Sequence, residues 1–191
     1  MLDALIADDI STRPGGVRAR CGSLVLAVDC PERDRERLEA LETPAVIWAQ
    51  LEARDEEFLL AGFSSHERRE LYRALRRIPG IGRRSALAVL DCGEQRDILR
   101  AVAGGDADFF RAVPGLGAKR IGSVIAELAA RYDGVLPKPL AVPVAWYVQA
   151  REGLCAAGMS VEDAEERLED VLAGAEPHSA AELYERAGEG G

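Results

Sequence analysis

The sequence predicts an α+β protein, a small β-barrel followed by helices, and three observations predict it. Short β-branched and apolar runs fill the chain up to residue 63. Apolar spacing turns helical from residue 64 onward. A Pro-Gly-x-Gly turn then occurs twice, each time between helical stretches.

The strand candidates come first. "VRARCGSLVLAV" (17–28) is β-branched and carries Gly22, which suits a hairpin turn or a bulge. "AVIWAQLEA" (45–53) and "EFLLAGF" (57–63) are further strands, with the acidic "RDEE" of 54–57 between them. "PERDRERLEAL" (31–41) fits a short charged helix or a loop. Several short strands with one helical insertion suit a small barrel.

Ser64 and Glu67 have the spacing of a capping box, and Leu71, Leu75 and Ile78 recur at helical spacing. After the first turn comes "RRSALAVLDC". "EQRDILRAVA" (94–103) ends at Gly104-Gly105. "DADFFRAV" (106–113) leads into the second turn, and "AKRIGSVIAELAARY" (118–132) closes the segment. "DGVLPKPLAVP" (133–143) holds three prolines and reads as a linker. Three short helices follow, with Gly158, Ser160 and Asp163, Gly174, and Ser179 and Glu182 as their stop and start signals. In the middle one Val161, Ala164, Leu168, Val171 and Leu172 share a face. That face serves either as the unit's own core or as a docking stripe.

The 191 residues carry a net charge of −9, which taken as a sum argues against nucleic acid. The distribution argues otherwise. Residues 65–133 hold 13 basic and 9 acidic side chains, whereas 1–64 hold 7 and 13, and 134–191 hold 4 and 11. Salt screens charge beyond about 8 Å, so a polyanion on the middle segment would feel mainly local cations. Cys21, Cys30, Cys92 and Cys155 form no C-x-x-C pair, which argues against structural zinc and a disulfide framework. "MLDALIADDI" lacks the features of a signal peptide, and no apolar run has the length of a membrane span. A cytoplasmic protein without cofactor or metal is expected.

The two turns, Pro79-Gly80-Ile81-Gly82 and Pro114-Gly115-Leu116-Gly117, match in register. Glycine permits a tight turn with positive φ and leaves no side chain to hold a ligand away. The amides of the turn and of the next helix's first residues then face outward and suit an anion. Ile81 and Leu116 are expected to turn inward. Arg83 with Arg84, and Lys119 with Arg120, add charge where a phosphate would rest. Neither turn is a P-loop, since no G-K-[ST] follows, nor a G-x-G-x-x-G turn, since Ser85 and Arg120 stand at the third-glycine positions. Backbone contacts carry no base information, so sequence-independent DNA binding follows. His66 and His178 have no nucleophile in a recognisable arrangement, so an enzyme is not expected.

The order of barrel, "FLLAGFSSHERRELYRALRRIPGIGRRSALAVL", second turn and linked helical tail resembles the RuvA family, the junction-recognition subunits of the bacterial branch-migration complex. The resemblance implies an OB-fold over 1–63, a tandem helix–hairpin–helix domain over 64–132, a linker over 133–144 and a three-helix domain over 145–191. It implies sequence-independent binding of four-way junction DNA, a homotetramer, and a C-terminal contact with a hexameric RuvB-type ATPase. It implies a junction resolvase as a further partner, and no membrane. Carried over, Gly80, Gly82, Arg83 and Arg84 grip one stretch of backbone, and Gly115, Gly117, Lys119 and Arg120 another. Asp55 and Glu56 match the family's acidic pin, which parts strands at the junction centre. The start departs from the family's glycine-containing first strand and leaves the barrel's opening strand unassigned. The rival readings are a duplex or single-strand binder without junction specificity, and a nuclease or glycosylase accessory domain.

Overall fold

The computed structural model describes residues 2–54, 57–174 and 176–189. The chain divides into two compact units, Met1–Asp91 and Cys92–Gly191.

The first unit opens with β1 (Ala4–Ala7), β2 (Asp9–Arg13), β3 (Gly16–Cys21) and β4 (Leu24–Asp29). After α1 (Glu32–Glu39) come β5 (Ala45–Arg54) and β6 (Glu57–Phe63), then α2 (His66–Arg76) and α3 (Arg83–Asp91). The strand order is β1-β5-β6-β4-β3-β2. β1 and β2 are one stretch of chain broken at Asp8, and each half pairs with a different end of the sheet. β1 runs antiparallel to β5, with Ala4 opposite Trp48, and β2 runs antiparallel to β3. A single strand thus supplies both edges, so the sheet closes into an OB-type barrel and leaves no long free edge there. The opening strand that the sequence left unassigned is therefore present. Its bend is held by Asp8, whose N–H donates to the Arg20 carbonyl (2.7 Å) and whose carboxylate accepts from the Gly22 N–H (2.6 Å).

Side chains alternate across the pleat. Ala45, Ile47 and Ala49 point into the barrel, while Val46 points out. Leu5, Val17, Val28, Ile47 and Leu60 fill the interior, and Leu38 of α1 joins them, fully buried. Gly22 turns the β3–β4 hairpin with φ +60°. Residues 31–41 resolve in favour of a helix.

α2 begins one residue later than the sequence suggests. Ser65, not Ser64, caps it, accepting the Arg68 N–H at 3.2 Å. Ser64 instead donates its N–H (2.8 Å) and hydroxyl (2.6 Å) to Asp34 of α1. Asp34 is fully buried and also accepts from Arg68 Nε at 2.8 Å, while Arg68 Nη2 donates to the Leu90 carbonyl at 2.9 Å. One buried ion pair therefore ties α1, the end of the barrel, α2 and α3 together.

The second unit holds α4 (Gln95–Gly104), a 3₁₀ turn (Asp108–Phe110) and α5 (Ala118–Arg131). Residues 132–143 carry no helix or strand. α6 (Val144–Ala156), α7 (Val161–Gly174) and α8 (Ala180–Gly188) follow. Ser179 caps α8, accepting from the Glu182 N–H at 3.1 Å. Tyr147, Ala150, Leu154, Ala164, Leu168, Leu183 and Ala187 form the core of this helical trio. Of the apolar face read on α7, Ala164 and Leu168 are buried, Val171 and Leu172 pack at the edge, and Val161 is exposed. That face is mostly core.

Candidate nucleic-acid interface

Each Pro-Gly turn is built alike. In the first unit the Ile81 N–H donates to the Ile78 carbonyl at 3.0 Å, and in the second the Leu116 N–H donates to the Val113 carbonyl at 3.2 Å. Pro79 and Pro114 take the first central position. Gly80 (φ +82°) and Gly115 (φ +75°) take the second, where only positive φ closes a type II turn. Ile78, Ile81, Val113 and Leu116 are buried and anchor the turns from below. Pro79, Gly80 and Gly82, and Pro114, Gly115 and Gly117, are exposed.

Helix geometry leaves the amides beyond each turn free. The Ala86 N–H reaches the Gly82 carbonyl (2.9 Å), and those of Arg120 and Ile121 reach the Gly117 carbonyl (2.8 and 3.1 Å). Among the described residues, the amides of Gly82, Arg83, Arg84 and Ser85, and of Gly117, Ala118 and Lys119, have no hydrogen-bond acceptor in the protein. Each set sits at a helix N-terminus, where the dipole favours negative charge.

Gly82 and Gly117 add a second argument. Neither has a positive φ (Gly117 lies at −71°), and a Cβ built on either would meet no protein atom within 4 Å. Folding does not require glycine at these positions.

The cations divide. Arg84, Lys119 and Arg120 are exposed, and Arg120 folds its Nη1 back to the Gly115 carbonyl at 3.0 Å. Arg83 points the other way. Its Nη2 pairs with Asp29 (2.6 Å) and donates to the Leu60 carbonyl (2.7 Å), so its side chain braces the turn against the barrel. Arg13 pairs with the same carboxylate. Arg83 therefore offers the turn its amide, while the free charge beside it is that of Arg84.

Sequence reasoning missed these braces. Arg76 Nη1 donates to the Ile81 carbonyl at 2.9 Å, and Glu52 on β5 holds Arg76 (3.1 Å) and the Tyr72 hydroxyl (2.5 Å). Burial pushes the Glu52 carboxyl up, but hydrogen bonds from Arg76 and Tyr72 outweigh it and hold the group below its ordinary range. Burial, and then the Glu52 hydrogen bond, push the Tyr72 hydroxyl up. Arg76 was legible as a cation of α2; its contact with the turn required the fold. An open cleft of about 750 Å³ lies beside the first turn, lined by Gly15, Asp29, Gly82, Arg83, Arg84 and Ser85 among others.

Asp55 and Glu56 lie outside the described residues; the strands flanking them pair as far as Arg54 opposite Glu57. Among the described residues, no group of three or more His, Cys, Asp or Glu side chains could hold a metal ion. No helix there is long and apolar enough to cross a membrane.

Residues 72–130 match the family model described as a SAM-like helix-hairpin-helix tandem. Across 98% of this chain and 95% of the relative, the sequence is 32% identical to the Holliday junction branch migration complex subunit RuvA of Rubrobacter xylanophilus. The chain belongs to the RuvA family. The RuvA of Laribacter hongkongensis is 35% identical over 72% of this chain and 67% of its own length. That of Cupriavidus necator is 29% identical over 91% of each. The helix-hairpin-helix family model spans both Pro-Gly turns.

Proposed function

We propose that this chain is the Holliday-junction-binding subunit of a branch migration complex, gripping the DNA by its sugar–phosphate backbone. The observation that carries the reading is the pair of exposed turns whose amides have no partner in the protein, each with a glycine that folding does not require. Phosphate oxygens accept from such amides, and Arg84, Lys119 and Arg120 supply long-range attraction despite the acidic whole.

The subunit is non-catalytic in this reading. It works in the cytoplasm as a homotetramer whose four copies match four duplex arms. It recruits a hexameric RuvB-type ATPase through the helices after residue 144 and passes the junction to a resolvase. The barrel (1–63), the paired turns (64–132) and the tail then have separate tasks. Asp55 and Glu56 act as an acidic pin that repels phosphate where strands part.

The test compares a synthetic four-way junction with linear duplex of equal length in gel shifts, alongside native mass spectrometry. Tighter junction binding by a tetramer is expected. Equal affinity for both DNAs, or a strict monomer on the junction, overturns junction recognition and leaves a general DNA-binding protein.

A further inference from the structure

We propose that Phe58 is a stacking platform for an unpaired nucleobase, on the free face of the ribbon formed by β5 and β6. The ribbon outruns its barrel. β1 pairs with β5 only as far as Ala4 opposite Trp48, and β4 pairs with β6 only at Ala61. From Leu51 and Leu60 outward, among the described residues, the two strands pair only with each other.

The pleat gives this ribbon two unlike faces. Glu52 and Leu59, directly opposite each other, face the helices. Glu52 holds Arg76 and the Tyr72 hydroxyl of α2, and Leu59 lines the cleft beside the first Pro-Gly turn. The other face carries the inward row of Ile47 and Ala49 past the rim of the barrel as Leu51 and Ala53, with Phe58 opposite Ala53. It is open to solvent. Leu51 is 41% exposed, and Phe58, at 76%, is the most exposed of the large apolar side chains among the described residues.

Folding does not account for this phenylalanine, whose ring lies in water beyond Leu60, the last core residue of β6 to face the barrel interior. Its surroundings select the occupant. Exposed Glu57 adjoins it, and the sequence continues the acidic run with Asp55 and Glu56, so phosphate is repelled from this place. The same charges disfavour a second copy of the ribbon laid against the first. An uncharged base meets no such barrier. Every base has a π-face, so stacking adds affinity without reading sequence. The ring is also fixed in position. Glu52 holds Arg76, which donates to the Ile81 carbonyl at 2.9 Å, and Arg83 donates to the Leu60 carbonyl at 2.7 Å. Both strands of the ribbon are thus fastened to the first Pro-Gly turn, so base platform and amide site keep one spacing. Unpaired bases arise where duplex arms exchange strands; the platform's place of action rests on the junction-binding function proposed above, whereas stacking itself does not.

Photo-crosslinking tests the platform, with iodouracil replacing a thymine at the crossover of a synthetic four-way junction and, in parallel, within a short single strand. Near-ultraviolet light joins iodouracil to an aromatic ring stacked on it, and mass spectrometry is expected to find the link at Phe58 on both DNAs. Phe58→Ala should lose the link and weaken junction binding about five-fold or more, with linear duplex unaffected. Its salt slope should stay unchanged, because no phosphate contact is lost. Phe58→Trp should keep the affinity. Phe58→Leu retains apolar surface without a π-face and should bind like Phe58→Ala. Absence of the link from both DNAs overturns the platform, as does full affinity in Phe58→Leu. A Phe58→Ala protein of lower native mass and unaltered affinity assigns the face to a second copy and overturns it too. Equal binding of junction and duplex by the unaltered protein sinks the junction reading alone, and the single-strand link then decides stacking.

Discussion

Asp29 and Arg83 meet where the barrel closes, with Asp29 Oδ2 2.6 Å from Arg83 Nη2. Asp29 stands opposite Ala61 in the only parallel strand contact among the described residues, and Arg83 is the first residue of α3. The first Pro-Gly turn is thus fastened to the barrel by a side chain that sequence reading assigned to DNA.

Neighbouring arginines should therefore behave differently. Arg84→Ala should weaken junction binding and lower the log–log salt slope by about 0.9, the loss of one phosphate contact. Arg83→Ala should destabilise the fold by about 1–3 kcal/mol, since Asp29 and the Leu60 carbonyl lose a charged donor. Salt-dependent binding isotherms and urea unfolding separate the two. Equal slope changes would return Arg83 to the phosphate.

Glycines at the turns should also split. Gly117→Ala adds a methyl group in an allowed conformation and open space, so stability should hold or rise by about 0.4–1 kcal/mol while DNA affinity falls. Gly115→Ala forces a side chain to positive φ and should cost about 1 kcal/mol or more by strain. Thermal melts paired with junction titrations check both. Undiminished affinity in Gly117→Ala would refute close backbone approach.

The buried pair of Asp34 and Arg68 calls for a larger effect. Asp34→Ala removes the buried carboxylate that accepts from Arg68 Nε and from Ser64, and should cost about 3–5 kcal/mol in chemical denaturation. Asp34→Ala with Arg68→Met should recover part of that loss. A double variant no more stable than the single would show that the pair is not the joint described here.

Acid should act through Glu52. Its folded-state pKa lies below the unfolded value of about 4.3, so its stabilising contribution is complete above that value. The contribution is lost as pH falls through the depressed folded pKa. Glu52→Gln should therefore be less stable than the unaltered protein at pH 7, and the gap should close in acid. A gap independent of pH would mean that packing, not charge, sets it.

Much of this was legible because glycine and proline act locally. Pro79, Gly80, Pro114 and Gly115 specify their turns by backbone preference alone, and Ser160, Gly158 and Ser179 mark helix ends in the same way. Ile81 and Leu116 were legible as inward anchors because nothing else in the turns is apolar. The opening strand was not legible: "ALIADDISTR" gains its strand character from two different neighbours, β5 and β3, neither of them local. Nor was the role of Arg83, since Asp29 lies 54 positions away. A guanidinium looks the same in sequence whether it meets phosphate or carboxylate, and only the tertiary fold distinguishes them.

The strand bent at Asp8 also sets a timetable for synthesis. Ala4 to Ala7 pair with Ala45 to Trp48, which are made some forty residues later. A nascent chain halted before β5 has emerged can build the meander of β2, β3 and β4 but has nothing to complete the ring. Strand β1 must wait for translation to catch up, with Leu5 and Ala7 uncovered in the meantime.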